Sequence, residues 1–226
     1  MAGDILPFMI TTPVASSPSN PVALELTVPQ ALAQVTQVIS QLPYGSIRMS
    51  APPLGASSKR THRTRCEWNE PLYWSLASAQ LHRNRQVMRL AQVNSAQKVV
   101  ISQMHVKDDD SPAVKVFWNK GRIAWGFRAS FDQGGSATRI IATNVPLQAP
   151  FEITLSTTTA GLVLVVVICN GVTSTSTPAQ LDSSWNDQRF DFRGRVYNQV
   201  DYSGSTPASD GSVCIISELQ VSHTLA

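Results

Sequence analysis

Ala113-Val114-Lys115-Val116-Phe117-Trp118 and Arg122-Ile123-Ala124-Trp125-Gly126-Phe127-Arg128, joined by Asn119-Lys120-Gly121, are the stretch on which the fold turns. Both runs are rich in β-branched and aromatic residues, which suit a pleated, half-buried backbone. The junction between them has the composition of a hairpin loop. Runs of the same kind recur at 46–50, 85–93, 98–106, 139–142, 151–155, 161–169, 190–200 and 213–221. Many short strands with turn signals between them predict an all-β protein of two packed antiparallel sheets, and no strand-helix alternation supports a parallel sheet. One short helix is expected after Pro29, because Leu32, Val35, Val38, Ile39 and Leu42 share one side at helical spacing. Residues 11–23 are rich in Thr, Ser and Pro, so residues 1–21 are assigned to an extended lead-in and 22–226 to a single domain.

At 226 residues the chain is long enough for one well-buried core. A hydrophobic share of 42% against 15% charged excludes a disordered chain. The longest apolar run, Leu162 to Cys169, is far too short to cross a bilayer. With 18 Lys and Arg against 15 Asp and Glu, the net charge of +3 does not by itself name a polyanion partner. Placement has to decide. The basic residues gather at Lys59, Arg60, Arg63 and Arg65, at Arg83, Arg85 and Arg89, and at Arg189, Arg193 and Arg195. Cys66, Cys169 and Cys214 are too widely spaced for a zinc ribbon and odd in number, and are expected to be buried small apolar residues. Asp108-Asp109-Asp110 reads as a charged turn, since the later ligands of a calcium loop are missing. The amino terminus carries Asp4 and prolines and does not read as a signal peptide. The compartment stays open between the cytoplasm and, behind a removed leader, the periplasm or exterior.

Residues two apart in a strand share a face, so a functional row shows as alternate polar positions. Three segments have this form. Arg63, Arg65, Glu67 and Asn69 alternate with Thr64, Cys66 and Trp68. Gln103 and His105 share a face with Ile101 and oppose Met104 and Val106. Arg193, Arg195, Tyr197 and Gln199 oppose Phe192, Gly194 and Val196. Any one of these rows reads as the outer face of a sandwich. Together they assemble arginines, an amide, an imidazole and a phenol.

Thr64-Arg65-Cys66-Glu67-Trp68-Asn69-Glu70, Gln103-Met104-His105 and Asp191-Phe192-Arg193-Gly194-Arg195-Val196-Tyr197-Asn198-Gln199 resemble, in order and separation, the three motifs of the family 7 alginate lyases. Leu24 to Pro29 and Ser217 to His223 look like that family's opening and final strands. Departures fall at Cys66, Asn69, Met104, Arg193, Gly194 and Arg195. The resemblance implies a β-jelly roll with a concave substrate groove and cleavage of a 1,4-linked polyuronate, alginate first, by β-elimination. By the same resemblance Arg65 and Gln103 hold the C5 carboxylate, His105 is the base on C5, and Tyr197 protonates the leaving oxygen. Arg63, Glu67, Lys115, Arg193, Arg195 and Gln199 are assigned to substrate contacts, Glu67 by orienting an arginine or binding a hydroxyl. Neither a metal nor a cofactor is expected, because Arg65 and Gln103 supply the electrophilic role. The partner is an anionic polysaccharide, with no nucleic acid and no membrane, and the chain is taken as a monomer.

Glucuronan lyases of the same fold are the neighbouring alternative. A polyuronate-binding jelly roll without turnover is a second. A glycoside hydrolase would need paired carboxyls across the scissile bond, and Glu67 and Glu70 lie on opposite faces by parity. Nucleic-acid binding would need aromatics interleaved with the basic residues, a pattern not found here. Trp118 and Trp125 are assigned to core packing rather than to sugar stacking.

Overall fold

A computed structural model describes residues 5–57, 63–135 and 137–225. Asp4, Lys59 and Arg60 lie outside them. The chain runs through β1 (Met9–Ser17), β2 (Asn20–Thr27), α1 (Val28–Gln34), β3 (Ile39–Gln41), β4 (Ile47–Ala51), β5 (Arg65–Asn69), β6 (Leu81–Gln92) and β7 (Lys98–Val106). It continues with β8 (Val114–Asn119), β9 (Arg122–Phe127), β10 (Thr138–Ala142), β11 (Phe151–Thr158), β12 (Leu162–Cys169), β13 (Val172–Thr175), β14 (Ala179–Gln180), β15 (Phe190–Asn198) and β16 (Ser212–Thr224). One sheet has the order β10-β9-β8-β7-β15-β5-β1-β2, and the other β13-β12-β11-β6-β16-β4-β3 with β14 on β12. The pairings between these strands are antiparallel, and the two sheets form a jelly roll.

The core lies between the sheets and is filled from alternate positions. Cys66 and Trp68 of β5, Met104 and Val106 of β7, and Phe190, Phe192 and Val196 of β15 meet Ile153 and Leu155 of β11 and Val163, Val165 and Val167 of β12. Trp118 and Trp125 belong to the same cluster, and all three cysteines are free and buried. In the β8–β9 hairpin Lys120 and Gly121 have φ of 49° and 77°. Two successive positive φ values make the primed turn whose twist matches the strands it joins.

Three expectations are corrected. The segment read as a lead-in contains β1, which sits inside the first sheet between β5 and β2, with Ile10 opposite Trp68 and Leu26. Its threonines are β-branched and suit a strand. Buried Thr12 also satisfies its hydroxyl by donating to the Leu24 carbonyl at 3.0 Å. The helix begins as expected, with Thr27 and Gln30 capping each other and Pro29 in the first turn, but stops at Gln34. Ile39–Gln41 pairs with Ile47–Met49 of β4 instead, so sheet pairing overrides the helical spacing of Val38, Ile39 and Leu42. Ile101 points into the core and not into the groove with Gln103. The register between β7 and β8 shifts between Val100 and Ser102, and this bulge reverses the alternation below Gln103.

Candidate active site

Strands β7, β15 and β5 are neighbours in the first sheet, and their register builds the site. Arg193 lies opposite Gln103 on one side and Asn69 on the other, while Asp191 faces His105, Arg195 faces Glu67, and Tyr197 faces Arg65. Lys115 of β8 extends the row beyond Gln103. The outer face of these strands forms a groove of about 520 Å³. Of the residues singled out in the sequence, Arg65, Gln103, His105, Lys115, Arg193, Arg195 and Tyr197 line it.

Glu67 lies beneath this floor, fully buried. Its carboxylate is 3.1 Å from Arg193 Nη1 and 4.0 Å from Arg65 Nε, and it forms an ion pair with Arg195 Nη2. Burial alone would push its pKa up, but the guanidiniums of Arg195, Arg193 and Arg65 outweigh burial and hold it down at about 2. One fixed anion therefore anchors three cations. Arg195 is itself nine-tenths buried, and burial lowers its pKa to about 10 against the pull of Glu67. It remains charged at neutral pH. Arg195 Nη2 also donates to Gln103 Oε1, which commits the amide oxygen and leaves the Gln103 NH₂ as the group available for a ligand.

The Arg65 and Arg195 guanidiniums lie 5.6 and 5.3 Å from the centroid of the Tyr197 ring, so the phenol is held against two cations. His105 Nδ1 is 3.6 Å from Asp191 Oδ1, too long for a hydrogen bond but within ion-pair range. Burial lowers the His105 pKa, and Asp191 offsets this only in part. The imidazole is therefore neutral at neutral pH. Lys115 is half-buried beside Arg195, and desolvation followed by repulsion from Arg195, Arg63 and Lys98 brings its pKa down to about 8.

Arg63, Glu67 and Gln199 do not line the groove. Arg63 forms a double hydrogen bond with Asp201 at 3.0 and 3.2 Å, and Gln199 donates from Nε2 to the Asn198 carbonyl. β5 begins at Arg65 and β15 ends at Asn198, so strand alternation does not extend to these two residues.

Four acids missed in the sequence also belong here. Asp191 is fully buried, accepts from Arg193 Nε at 2.7 Å and Nη2 at 3.3 Å, and lies beside His105. It shares parity with Arg193, Arg195 and Tyr197, a signal that was readable. Asp108, Asp109 and Asp110 line the rim, with Asp109 clamped by Arg128 at 3.0 Å. Among the described residues no group of three or more His, Cys, Asp or Glu side chains is placed to hold a metal.

Two antiparallel sheets carrying a groove with guanidiniums, an amide, an imidazole and a phenol on one outer face define a jelly-roll polysaccharide lyase. The chain belongs to the alginate lyase family, whose model it matches over residues 4–223. The protein is accordingly a lyase of polyuronate. Among solved structures it is similar to an alginate lyase from Pseudomonas aeruginosa, at 24% identity and TM-score 0.80 over 98% of this chain and 100% of that one. An alginate lyase from Klebsiella pneumoniae gives a TM-score of 0.81 at 15% identity, over 97% and 96% of the two chains. The alginate lyase A1-II′, a member of polysaccharide lyase family 7, gives 0.78 at 18%, over 99% and 97%. No curated protein sequence matches this one.

Proposed function

We propose that the protein cleaves alginate in this groove by β-elimination, with Arg65 and Gln103 on the C5 carboxylate, His105 as base and Tyr197 as acid. The observation that carries the reading is the gathering of these four side chains in one groove over the buried Glu67. A variant of A1-II′ is known in complex with a substrate, GGMG, which supports an oligosaccharide as the ligand of this fold.

The chemistry follows from the substrate. The C5 carboxylate makes the neighbouring C–H a poor acid, so its charge must be neutralised before the proton leaves. Arg65 supplies a permanently charged planar donor, and Gln103 supplies the NH₂ that Arg195 leaves available. With Asp191 on its Nδ1 side, neutral His105 presents Nε2 to C5. The C5–H electron pair becomes the C4–C5 double bond as the C4–O bond breaks. Tyr197 gives its phenolic proton to the departing glycosidic oxygen. Each positioned acid or base contributes about 10²–10⁴ in rate, and the carboxylate donors stabilise the enolate-like charge that develops.

The test is incubation with polymannuronate, polyguluronate and glucuronan, following the ultraviolet absorbance of the unsaturated uronate end. Alginate blocks should be cleaved by the native chain, and Tyr197→Phe should bind them without cleaving. Faster turnover of glucuronan than of either alginate block would overturn the substrate, and near-native turnover by Tyr197→Phe would overturn the acid.

A further inference from the structure

We infer that the outer face of the second sheet carries a second binding site for an anionic uronate chain, centred on Tyr44, Arg48 and Arg89. The inference rests on the polyuronate reading above and extends it to a surface remote from the chemistry.

Pro43-Tyr44-Gly45 joins β3 to β4, and Tyr44 sits at φ 67° and ψ 15°, in the left-handed region. Gly45 follows at φ 85°, so the segment is a tight turn with two successive positive φ values, as at Lys120 and Gly121. This turn holds Tyr44 99% exposed, and an aromatic ring presented to solvent in this way offers a stacking surface.

The charge next to it is independent of that turn. Arg48 of β4 lies opposite Ile215 of β16, which lies opposite Arg89 of β6, so two arginines flank an isoleucine on one outward-facing row. Two strand spacings put their backbones roughly 10 Å apart. Arg89 donates to Gln148 Oε1 at 2.7 Å, and among the described residues neither arginine has an acidic partner. Arg85 on the same strand shows the contrast, held by Glu152 at 2.6 Å and Glu218 at 2.7 Å. Leu42, Pro43, Tyr44, Arg89, Ile215 and Ser217 line a cleft of about 480 Å³, and Arg48 lies beside it across Ile215.

That volume falls in the range of small-ligand sites. The chemistry selects the ligand: the C–H face of a pyranose stacks on an exposed phenol, and its carboxylate pairs with a guanidinium. A neutral sugar would leave both arginines unused. A long polyuronate that reaches both faces gains affinity through effective concentration, with no change in the reaction itself.

The experiment compares the full-length native chain with Tyr44→Ala/Arg89→Ala and with Arg48→Ala. Readouts are KM and kcat on long alginate and on oligomers too short to reach both faces, with mobility in alginate-containing native gels. The expected result is a rise in polymer KM on the order of tenfold, a small share of what two-site binding can supply. Retardation in the gel should be reduced to what the catalytic groove alone supplies, while oligomer kinetics and melting temperature stay native. Equal KM for native and variant chains on the polymer, or equal losses on polymer and oligomer, would overturn the second site and leave the lyase reading standing. A native chain that cleaves neither substrate would overturn the lyase reading instead. Self-association that the double variant abolishes in sedimentation would assign the face to a second copy of this chain and overturn the proposal.

Discussion

At the scale of single residues, Glu67 decides how the groove behaves. Glu67→Gln removes the anion shared by Arg65, Arg193 and Arg195 and leaves buried Arg195 without its carboxylate partner, while Arg193 keeps Asp191. Breaking a buried ion pair in this way costs about 3–5 kcal/mol, so chemical denaturation should show a loss of that order together with lost activity. The folded-state pKa of Glu67 lies below its ordinary value, so its stabilisation is complete above pH 4.5 and is lost as pH falls through about 2. Acid-unfolding curves of the native chain should therefore carry a component in that window that the Gln variant lacks. Lys115 titrates on the other side. With its pKa at about 8, it loses its charge as pH rises through that value, and KM for polyuronate should climb there. Lys115→Arg keeps the charge and should flatten that limb in steady-state measurements. For His105, burial lowers the pKa, so the acid limb of kcat/KM should fall below pH 6.5.

At the scale of elements, the sequence was most legible where residue type and tertiary demand agree. Val114 to Trp118 and Ile123 to Phe127 are mostly β-branched or aromatic and mostly buried, and they form the expected hairpin. Legibility failed where a non-local partner decided the outcome. Ile39 has helical spacing, yet it pairs with Met49; Thr11 and Thr12 look like linker residues, yet β5 and β2 flank them. The site followed the same rule. Alternation placed Gln103, His105, Arg193, Arg195 and Tyr197 correctly, but it is blind to bulges and strand ends, and so it misplaced Ile101, Arg63 and Gln199. Gly194 shows an element-level constraint that a pattern of polar residues cannot register. A Cβ there would clash with the indole of Trp68, which lies opposite on β5, and with Gln86 Oε1. Gly194→Ala should destabilise by about 1–3 kcal/mol through overpacking. The shift between Arg193 and Arg195 should also lower activity, measured as kcat at a temperature where the variant remains folded.

At the scale of the whole molecule, the two sheets are tied together behind the groove by a polar chain through Glu70, His223 and His82. Glu70 follows β5 in the first sheet, and its Oε2 accepts from Trp74 Nε1 at 2.8 Å and from the Phe192 amide of β15 at 2.7 Å. Its Oε1 is 2.7 Å from His223 Nε2, at the end of β16 in the second sheet. His223 Nδ1 is 2.7 Å from His82 Nδ1, and His82 Nε2 reaches the Leu76 carbonyl at 3.1 Å. A carbonyl only accepts, so His82 donates from Nε2, and one proton is shared at each of the two contacts that His223 makes, with His82 and with Glu70. His82 is stacked on Trp74 at 4.0 Å, which fixes the ring for that contact. His223→Ala removes the middle of the chain and leaves Glu70 Oε1 and His82 Nδ1 buried without their partner. An unsatisfied buried polar group costs about 1–3 kcal/mol, which in a chain of this size lowers the melting temperature by about 2–4 °C per kcal/mol. Because Glu70 also holds the Phe192 amide, one residue from Asp191 and Arg193, the loosening should reach the groove. Thermal melts and steady-state kinetics of His223→Ala should show both a lower transition and a higher KM. A lowered transition with native KM would confine the clasp to stability.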